Sequence, residues 1–257
     1  MVGWLRLSAM LCLLLPVGLP AEAAPTASAP CREHVFENLR FTVCTVDLRQ
    51  HELRMYWKDE QDRPYGTFQR LPPEAGGGRL LLAMNAGMYL PDLTPAGLYV
   101  EEGEELRPAN TADGPGNFHM KPNGVFFVDG ERAGVLETGQ YLERHPEPQF
   151  ATQSGPMLVI DGRIHPRFLP DSNSRKRRNG VCAPGDGRVT LVITEQPVTF
   201  HAFARLFRDE LDCDNALYLD GSMSSLYVPA LQRRDFLRPM GPIIAVVTVP
   251  DASLRGD

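Results

Sequence analysis

Beyond its N-terminal apolar run, the chain has no stretch long enough to span a bilayer, no serine/glycine linker, no charge block that divides it and no repeat of solenoid length. One domain is therefore expected. Close CxxC pairs are missing, which argues against a zinc framework. There is no HExxH or EF-hand pattern and no Walker or dinucleotide glycine loop. Without these, no cofactor is expected and no metal ligand is assigned; Asp212, Asp214 and Asp220 fit no metal pattern, although an accessory divalent cation stays compatible with them. A serine hydrolase acting through Ser222 or Ser224 would need a G-x-S-x-G elbow, which is absent, and none of the six histidines stands in a triad context. Positive charge is also scarce: the net charge of −6 is unsuited to wrapping nucleic acid, and Arg175-Lys176-Arg177-Arg178 is the exceptional basic run.

Residues 1–23 read as a secretory signal peptide. Arg6 precedes the apolar run Leu7 to Leu15, Pro16 and Gly18 interrupt it, and Ala21-Glu22-Ala23 offers a small-residue cleavage site. The run is shorter than the roughly 20 residues of a spanning helix, so cleavage is expected rather than anchoring. Leu11 stands before Cys12 where a lipobox needs a small residue, which argues against lipidation. Residues 24–30, rich in Ala, Pro and Ser, form an expected flexible segment. The domain is placed at 31–250 and a tail at 251–257. The mature protein is expected to be exported, periplasmic or secreted, with no membrane span. The sequence assigns no oligomeric state.

Of five cysteines, Cys12 falls in the leader. The other four, Cys31, Cys44, Cys182 and Cys213, form an even set in an oxidising compartment, which favours disulfides and permits three pairings. The expected pairing joins Cys31 to Cys44, stapling the first strand pair, and Cys182 to Cys213.

Short β-branched or aromatic runs ended by Gly, Asp or Pro predict strands at 41–47, 53–57, 80–85, 97–101, 124–128, 157–160, 189–195, 216–219 and 243–249. One helix is predicted from Phe200 or His201 to about Leu211, with Phe203, Leu206, Phe207 and Leu211 on one face and Thr199 as N-cap. The expected fold class is α+β: a mixed, strongly twisted β-sheet core with few helices.

A small device recurs along the chain. Lys121-Pro-Asn-Gly124 and Gln153-Ser-Gly-Pro156 each lead into an apolar run that turns at Asp-Gly, a strong hairpin signal because both residues tolerate positive φ. Asn179-Gly180 precedes a further hairpin turning at Gly185-Asp186-Gly187. Met84-Asn85-Ala86-Gly87 and Leu219-Asp220-Gly221-Ser222 instead close apolar strands. If these ends meet at one rim, Asn85, Asn123, Ser154, Asn179, Asp220 and Ser222 gather there, with glycines allowing close approach of a ligand. Taken singly, each is an ordinary turn.

Taken in order, Asn85-Ala-Gly-Met-Tyr89, Lys121-Pro-Asn-Gly124, Ser154-Gly-Pro156, Arg178-Asn-Gly180 and Leu219-Asp-Gly-Ser222 resemble the motif series of the phosphodiester glycosidase family, over roughly Phe41 to Val249. The resemblance implies an enzyme that cleaves a sugar, classically N-acetylglucosamine, from a sugar-1-phosphodiester, and bacterial members are often linked to envelope or exopolysaccharide sugars. The chain reads Asp220-Gly-Ser-Met-Ser-Ser225 where animal members carry a run of glycines before the serine, a departure that bears on the substrate more than on the reaction class.

Glycoside cleavage usually needs two carboxyl groups. A phosphate leaving group is weakly basic, so charge neutralisation by cationic and amide donors can replace protonation and one carboxylate can suffice. Asp220 is the first candidate, and Glu195 the second, as acid or partner. Arg178 and Lys121 are the expected phosphate partners. Asn85, Asn123, Ser154, Asn179, Gly221, Ser222 and Ser224 are the expected neutral contacts to the carbohydrate phosphodiester. The competing reading is a non-catalytic glycan-binding or cell-wall-binding protein, which gains if Asp220 pairs with Arg178 in a buried salt bridge.

Overall fold

Turn chemistry dictates how the strands pair. In the computed structural model, which describes residues 30–249 except 73, 76, 77, 145 and 237, each predicted hairpin forms. Gly124–Asp129 pairs with Arg132–Glu137 across Gly130, at φ 58°. Met157–Ile160 pairs with Arg163–Ile164 across Asp161 and Gly162, both at positive φ. Asn179–Cys182 pairs with Arg188–Thr194 across Gly185 and Gly187. The expected signal peptide 1–23, the expected segment 24–30 apart from Pro30, and the expected tail 251–257 lie outside the described residues.

The strands form three sheets rather than one. Every ladder among the described residues is antiparallel, which corrects the expectation of a mixed sheet. Tight turns account for the hairpin ladders, since a parallel partner needs a crossover of about a dozen residues or more; the ladders between strands distant in the sequence are antiparallel as well. The seven-stranded sheet runs in the order Cys31–Phe36, Leu39–Asp47, Arg188–Thr194, Asn179–Cys182, Ala216–Asp220, Met157–Ile160, Arg163–Ile164. A five-stranded sheet centres on Phe150–Ser154, and a six-stranded sheet on Gly78–Asn85, flanked by Leu226–Val228 and Ile243–Thr248. Gly78 begins a strand where a Cβ would run into the Thr248 carbonyl.

One apolar cluster joins the three sheets: Val46, Leu191 and Leu217 from the first, Phe126 and Val128 from the second, Met84 and Ile244 from the third. On the other face of the seven-stranded sheet, Phe203, Ala204 and Phe207 pack against Phe41, Leu158, Val192 and Tyr218. They belong to the predicted helix, which spans Phe200–Arg205 and continues as a π-helical turn Leu206–Glu210. Thr199 caps it by accepting from the Ala202 amide at 3.1 Å. The short helix Thr138–Arg144 escaped the sequence because seven residues show too little periodicity.

Both expected disulfides form. Cys31 and Cys44 are cross-strand partners, and Cys182–Cys213 ties the segment after the helix to the centre of the sheet. In the chain-entropy description, the 31-residue separation of the second bridge corresponds to about 3–4 kcal/mol. Replacing Cys182 and Cys213 together by Ser is expected to lower unfolding stability by about 3 kcal/mol in urea denaturation. An unchanged denaturation midpoint would show that the bridge carries no stability.

Candidate active site

Asp220 ends the strand Ala216–Asp220, whose other four residues are buried. Gly180 faces Tyr218 and Asn179 faces Asp220, so Leu219 is an extra residue, a bulge of the kind that re-aims side chains at sheet rims. One carboxylate oxygen of Asp220 accepts from the Gly221 amide at 2.6 Å and the other from Asn85 Nδ2 at 2.9 Å. Among the described residues no basic side chain stands within 4.0 Å of that carboxylate, so the salt bridge with Arg178 that a binding protein would favour is not formed. Burial pushes Asp220 up to about 6, opposed by the hydrogen bonds from Gly221 and Asn85.

A buried asparagine pair holds this strand end. Asn179 Oδ1 accepts from the Asp220 amide at 2.9 Å, and its Nδ2 donates to the Asn85 carbonyl at 2.8 Å. Asn85 Oδ1 accepts from the Ser225 amide at 2.8 Å. Ser224 closes the turn by donating to the Gly221 carbonyl at 2.6 Å, and Ser154 donates to the Leu219 carbonyl at the bulge at 2.7 Å. Gly87 lets its loop lie on the Phe150–Ser154 strand, where a Cβ would meet Gln153 and Thr152.

The remaining expected site residues divide. Asn123 is buried and occupied, donating to the Phe118 carbonyl at 3.0 Å and accepting from Thr138 Oγ1 at 2.8 Å. Lys121 turns to Asp113 at 2.6 Å and to the Thr111 carbonyl at 2.8 Å. Ser222 is exposed beside Gly221. Arg178 is 1 % exposed, with Nε on the Val198 carbonyl, Nη2 on the Ser174 carbonyl and Nη1 without a partner. Its guanidinium lies 3.6 Å from the Phe200 ring centroid. Glu195 is held by Arg233 at 2.6 Å and accepts from Thr42 Oγ1 at 2.6 Å, and Arg233 in turn grips Asp235. A carboxylate so engaged is a bridge partner, and the structure does not bring it against Asp220.

Two tyrosines were not singled out. The Tyr218 hydroxyl lies 2.5 Å from where a Cβ on Gly221 would stand. The Tyr89 hydroxyl is buried without a partner, and both phenols are pushed up by burial first and by the Asp220 charge second. No local signal marks Tyr218, because the bulge at Leu219 breaks the alternation of faces between it and Asp220. Tyr89 closes the Asn85-Ala-Gly-Met-Tyr89 motif.

A half-buried carboxylate, free of cations and backed by amide donors at the end of a central strand, is equipped to accept a proton or attack an electrophilic carbon. Residues 78–247 match the family described as NAGPA, phosphodiester glycosidase. The chain is 36% identical over 185 residues, 72% of each chain, to the "Uncharacterized protein YigE" of Escherichia coli strain K12. It belongs to the phosphodiester glycosidase family. Its fold is similar to the zebrafish "N-acetylglucosamine-1-phosphodiester alpha-N-acetylglucosaminidase (NAGPA) catalytic domain auto-inhibited by pro-peptide", with TM-score 0.56, 12% identity and coverage of 84% of this chain and 81% of that one. A hypothetical protein from Synechocystis is similar at TM-score 0.53 and 14% identity, over 85% of this chain and 61% of that one. Among the described residues no group of three or more His, Cys, Asp or Glu is arranged to hold a metal ion, and no helix is long and apolar enough to cross a membrane.

Proposed function

We propose that the protein is an exported hydrolase that releases a sugar, N-acetylglucosamine-like, from a sugar-1-phosphodiester of envelope or exopolysaccharide material. The observation that carries this reading is the Asp220 carboxylate, half-buried at a strand end and paired with amide donors instead of a cation. A glycan-binding surface has little use for such a group facing an anionic ligand. Family membership supports a hydrolase role, and the two disulfides fit an oxidising compartment outside the cytoplasm.

Asp220 acts as the base. Water attacks the anomeric carbon as its bond to the phosphate oxygen breaks, the water proton passes to Asp220, and the bond electrons leave with the phosphomonoester. Arg178 supplies positive field for the phosphate, while Asn85, Asn179 and Ser224 fix the carboxylate and its turn. Asn123 and Ser154 keep the neighbouring loops in register. Glu195 is assigned to the Arg233 bridge rather than to proton transfer.

The test is a time course of purified mature protein with N-acetylglucosamine-1-phospho-methyl-mannoside, with and without chelator, following free sugar. Release establishes the reaction, and no release across several sugars would sink it. With Asp220 at about 6, kcat/KM is expected to fall about tenfold per pH unit below pH 6 and to level off above it. A profile flat from pH 4 to 8 would remove Asp220 as the base.

A further inference from the structure

Of the basic run Arg175-Lys176-Arg177-Arg178, only Arg178 enters the proposed reaction. Arg175 and Lys176 are exposed, and among the described residues no carboxylate stands within 4.0 Å of either. Arg177 turns inward and reaches Asp235 at 3.1 Å, and Arg233 grips the same carboxylate at 2.9 Å. Arg233 also reaches Glu195 at 2.6 Å. This chain of four charges fastens two basic segments together, 175–177 and 233–234. The second segment adds Arg234, exposed at 5.8 Å from the Tyr227 ring centroid and likewise without a carboxylate within 4.0 Å. Five cations thus share two carboxylates, on a chain whose net charge is −6. Both carboxylates are taken up by the inner arginines, which leaves the outer three cations uncompensated.

Both segments border the turn that follows Asp220. The Arg177 carbonyl lies 3.9 Å from where a Cβ on Gly221 would stand. Leu226, just past the turn, donates its amide to Asp235 at 3.2 Å, and its carbonyl accepts from the Asp235 amide at 3.0 Å. We propose that Arg175, Lys176 and Arg234 form a cationic rim for the leaving-group side of the substrate, and that this side is a polyanionic chain with further phosphodiesters beyond the scissile one. The inference rests on the phosphodiester reading of the Asp220 site. A single small anion needs donors that converge on one point, whereas exposed cations on two segments offer successive points of charge, each weak alone, to an extended anion. The Arg177–Asp235–Arg233–Glu195 network holds those segments before any ligand arrives, so little ordering is left for binding.

Poly(glycerol phosphate), a chain of repeating phosphodiesters, is the probe, with dextran as the uncharged control. Both are titrated calorimetrically into the mature protein, and vesicles of phosphatidylglycerol and phosphatidylcholine are tested by cosedimentation. The wild type is expected to bind the polymer and not dextran. Replacing Arg175, Lys176 and Arg234 together by Gln should weaken the polymer about tenfold at low salt, roughly twofold per exposed cation, and the difference should vanish near 1 M salt, where the Debye length is about 3 Å. A variant with the same loss of charge at the exposed Arg49, Arg132 and Arg163 should keep wild-type affinity. Bound polymer should also raise the KM for N-acetylglucosamine-1-phospho-methyl-mannoside without changing kcat. No wild-type binding, equal binding of dextran, equal weakening by the two triple variants, or a preference for the vesicles would each overturn the inference. Polymer that binds without moving that KM would overturn the placement of the rim beside Asp220. Polymer binding lost only in the rim variant, with no hydrolysis of the small diester by the wild type, would instead overturn the proposed reaction and leave the rim standing.

Discussion

Asp220→Asn is expected to lose at least about 10³-fold in kcat and, above pH 7, to gain stability. The loss follows because an amide cannot take the proton of attacking water. The gain follows from linkage. The folded protein holds Asp220 at about 6 against an ordinary 3.8, so between those values the native state binds more protons than the unfolded chain. The contribution of Asp220 to stability is therefore greatest below pH 4 and is lost as pH rises through 6. The shift corresponds to about 3 kcal/mol. Asn carries no charge and escapes that loss, but one of its donors or acceptors faces Asn85 less favourably, which costs about 1 kcal/mol. A net gain of about 2 kcal/mol is expected at pH 8, near 4–8 °C in Tm for a domain of this size, and none at pH 4. Calorimetric melts of the variant and the wild type at the two pH values check this. Equal Tm differences at both would show that Asp220 is not held protonated by the fold, and undiminished turnover would remove it from the mechanism.

The sequence reveals the hairpins because their signals are local. Asp161-Gly162 supplies two positive φ angles in adjacent residues, and only an antiparallel return accommodates them. A hairpin signal says nothing of how strands distant in the sequence pair, so the expectation of a mixed sheet is corrected only by the long-range ladders, which are antiparallel as well. The even cysteine count points to disulfides but leaves three pairings open, and the structure forms the expected two, Cys31 and Cys44 being cross-strand partners of one hairpin. Asp220, Asn85 and Asn179 were legible as glycine-flanked polar strand ends, and the structure brings them into one hydrogen-bonded group.

The rest of the site was hidden for a physical reason: residue type does not report which partner wins. Glu195 and Lys121 look like free charges in the sequence, yet each has an ionic partner, Arg233 for the first across 38 residues and Asp113 for the second across eight. Arg178 reads as a phosphate partner, but nothing in the basic run shows that alternation buries it while Arg177 reaches Asp235. Tyr218 reads as one more apolar strand residue, since nothing local marks a hydroxyl that will stand against Gly221.

Asn179 is where fold and site share one side chain, and its replacement separates them. Asn179→Ala removes the acceptor of the Asp220 amide and the donor to the Asn85 carbonyl, both in a region with no water access at Asn179 itself, which is 0% exposed. Ser224 still reaches the Gly221 carbonyl, so its hydroxyl adds little to the loss. Two orphaned backbone groups at about 1–3 kcal/mol each give an expected destabilisation of about 3 kcal/mol by urea denaturation. Asn179→Asp behaves differently. It keeps an acceptor for the Asp220 amide but places a second carboxylate beside Asp220, and like charges disfavour ionisation. The acid limb of kcat/KM should therefore move above pH 6, while Asn179→Ala lowers stability without raising that midpoint. If both variants shift the limb equally, the asparagine tunes Asp220 through packing alone. If neither loses stability, Asn179 is not the keystone of the strand end, and the Asp220 amide finds another acceptor when it is gone.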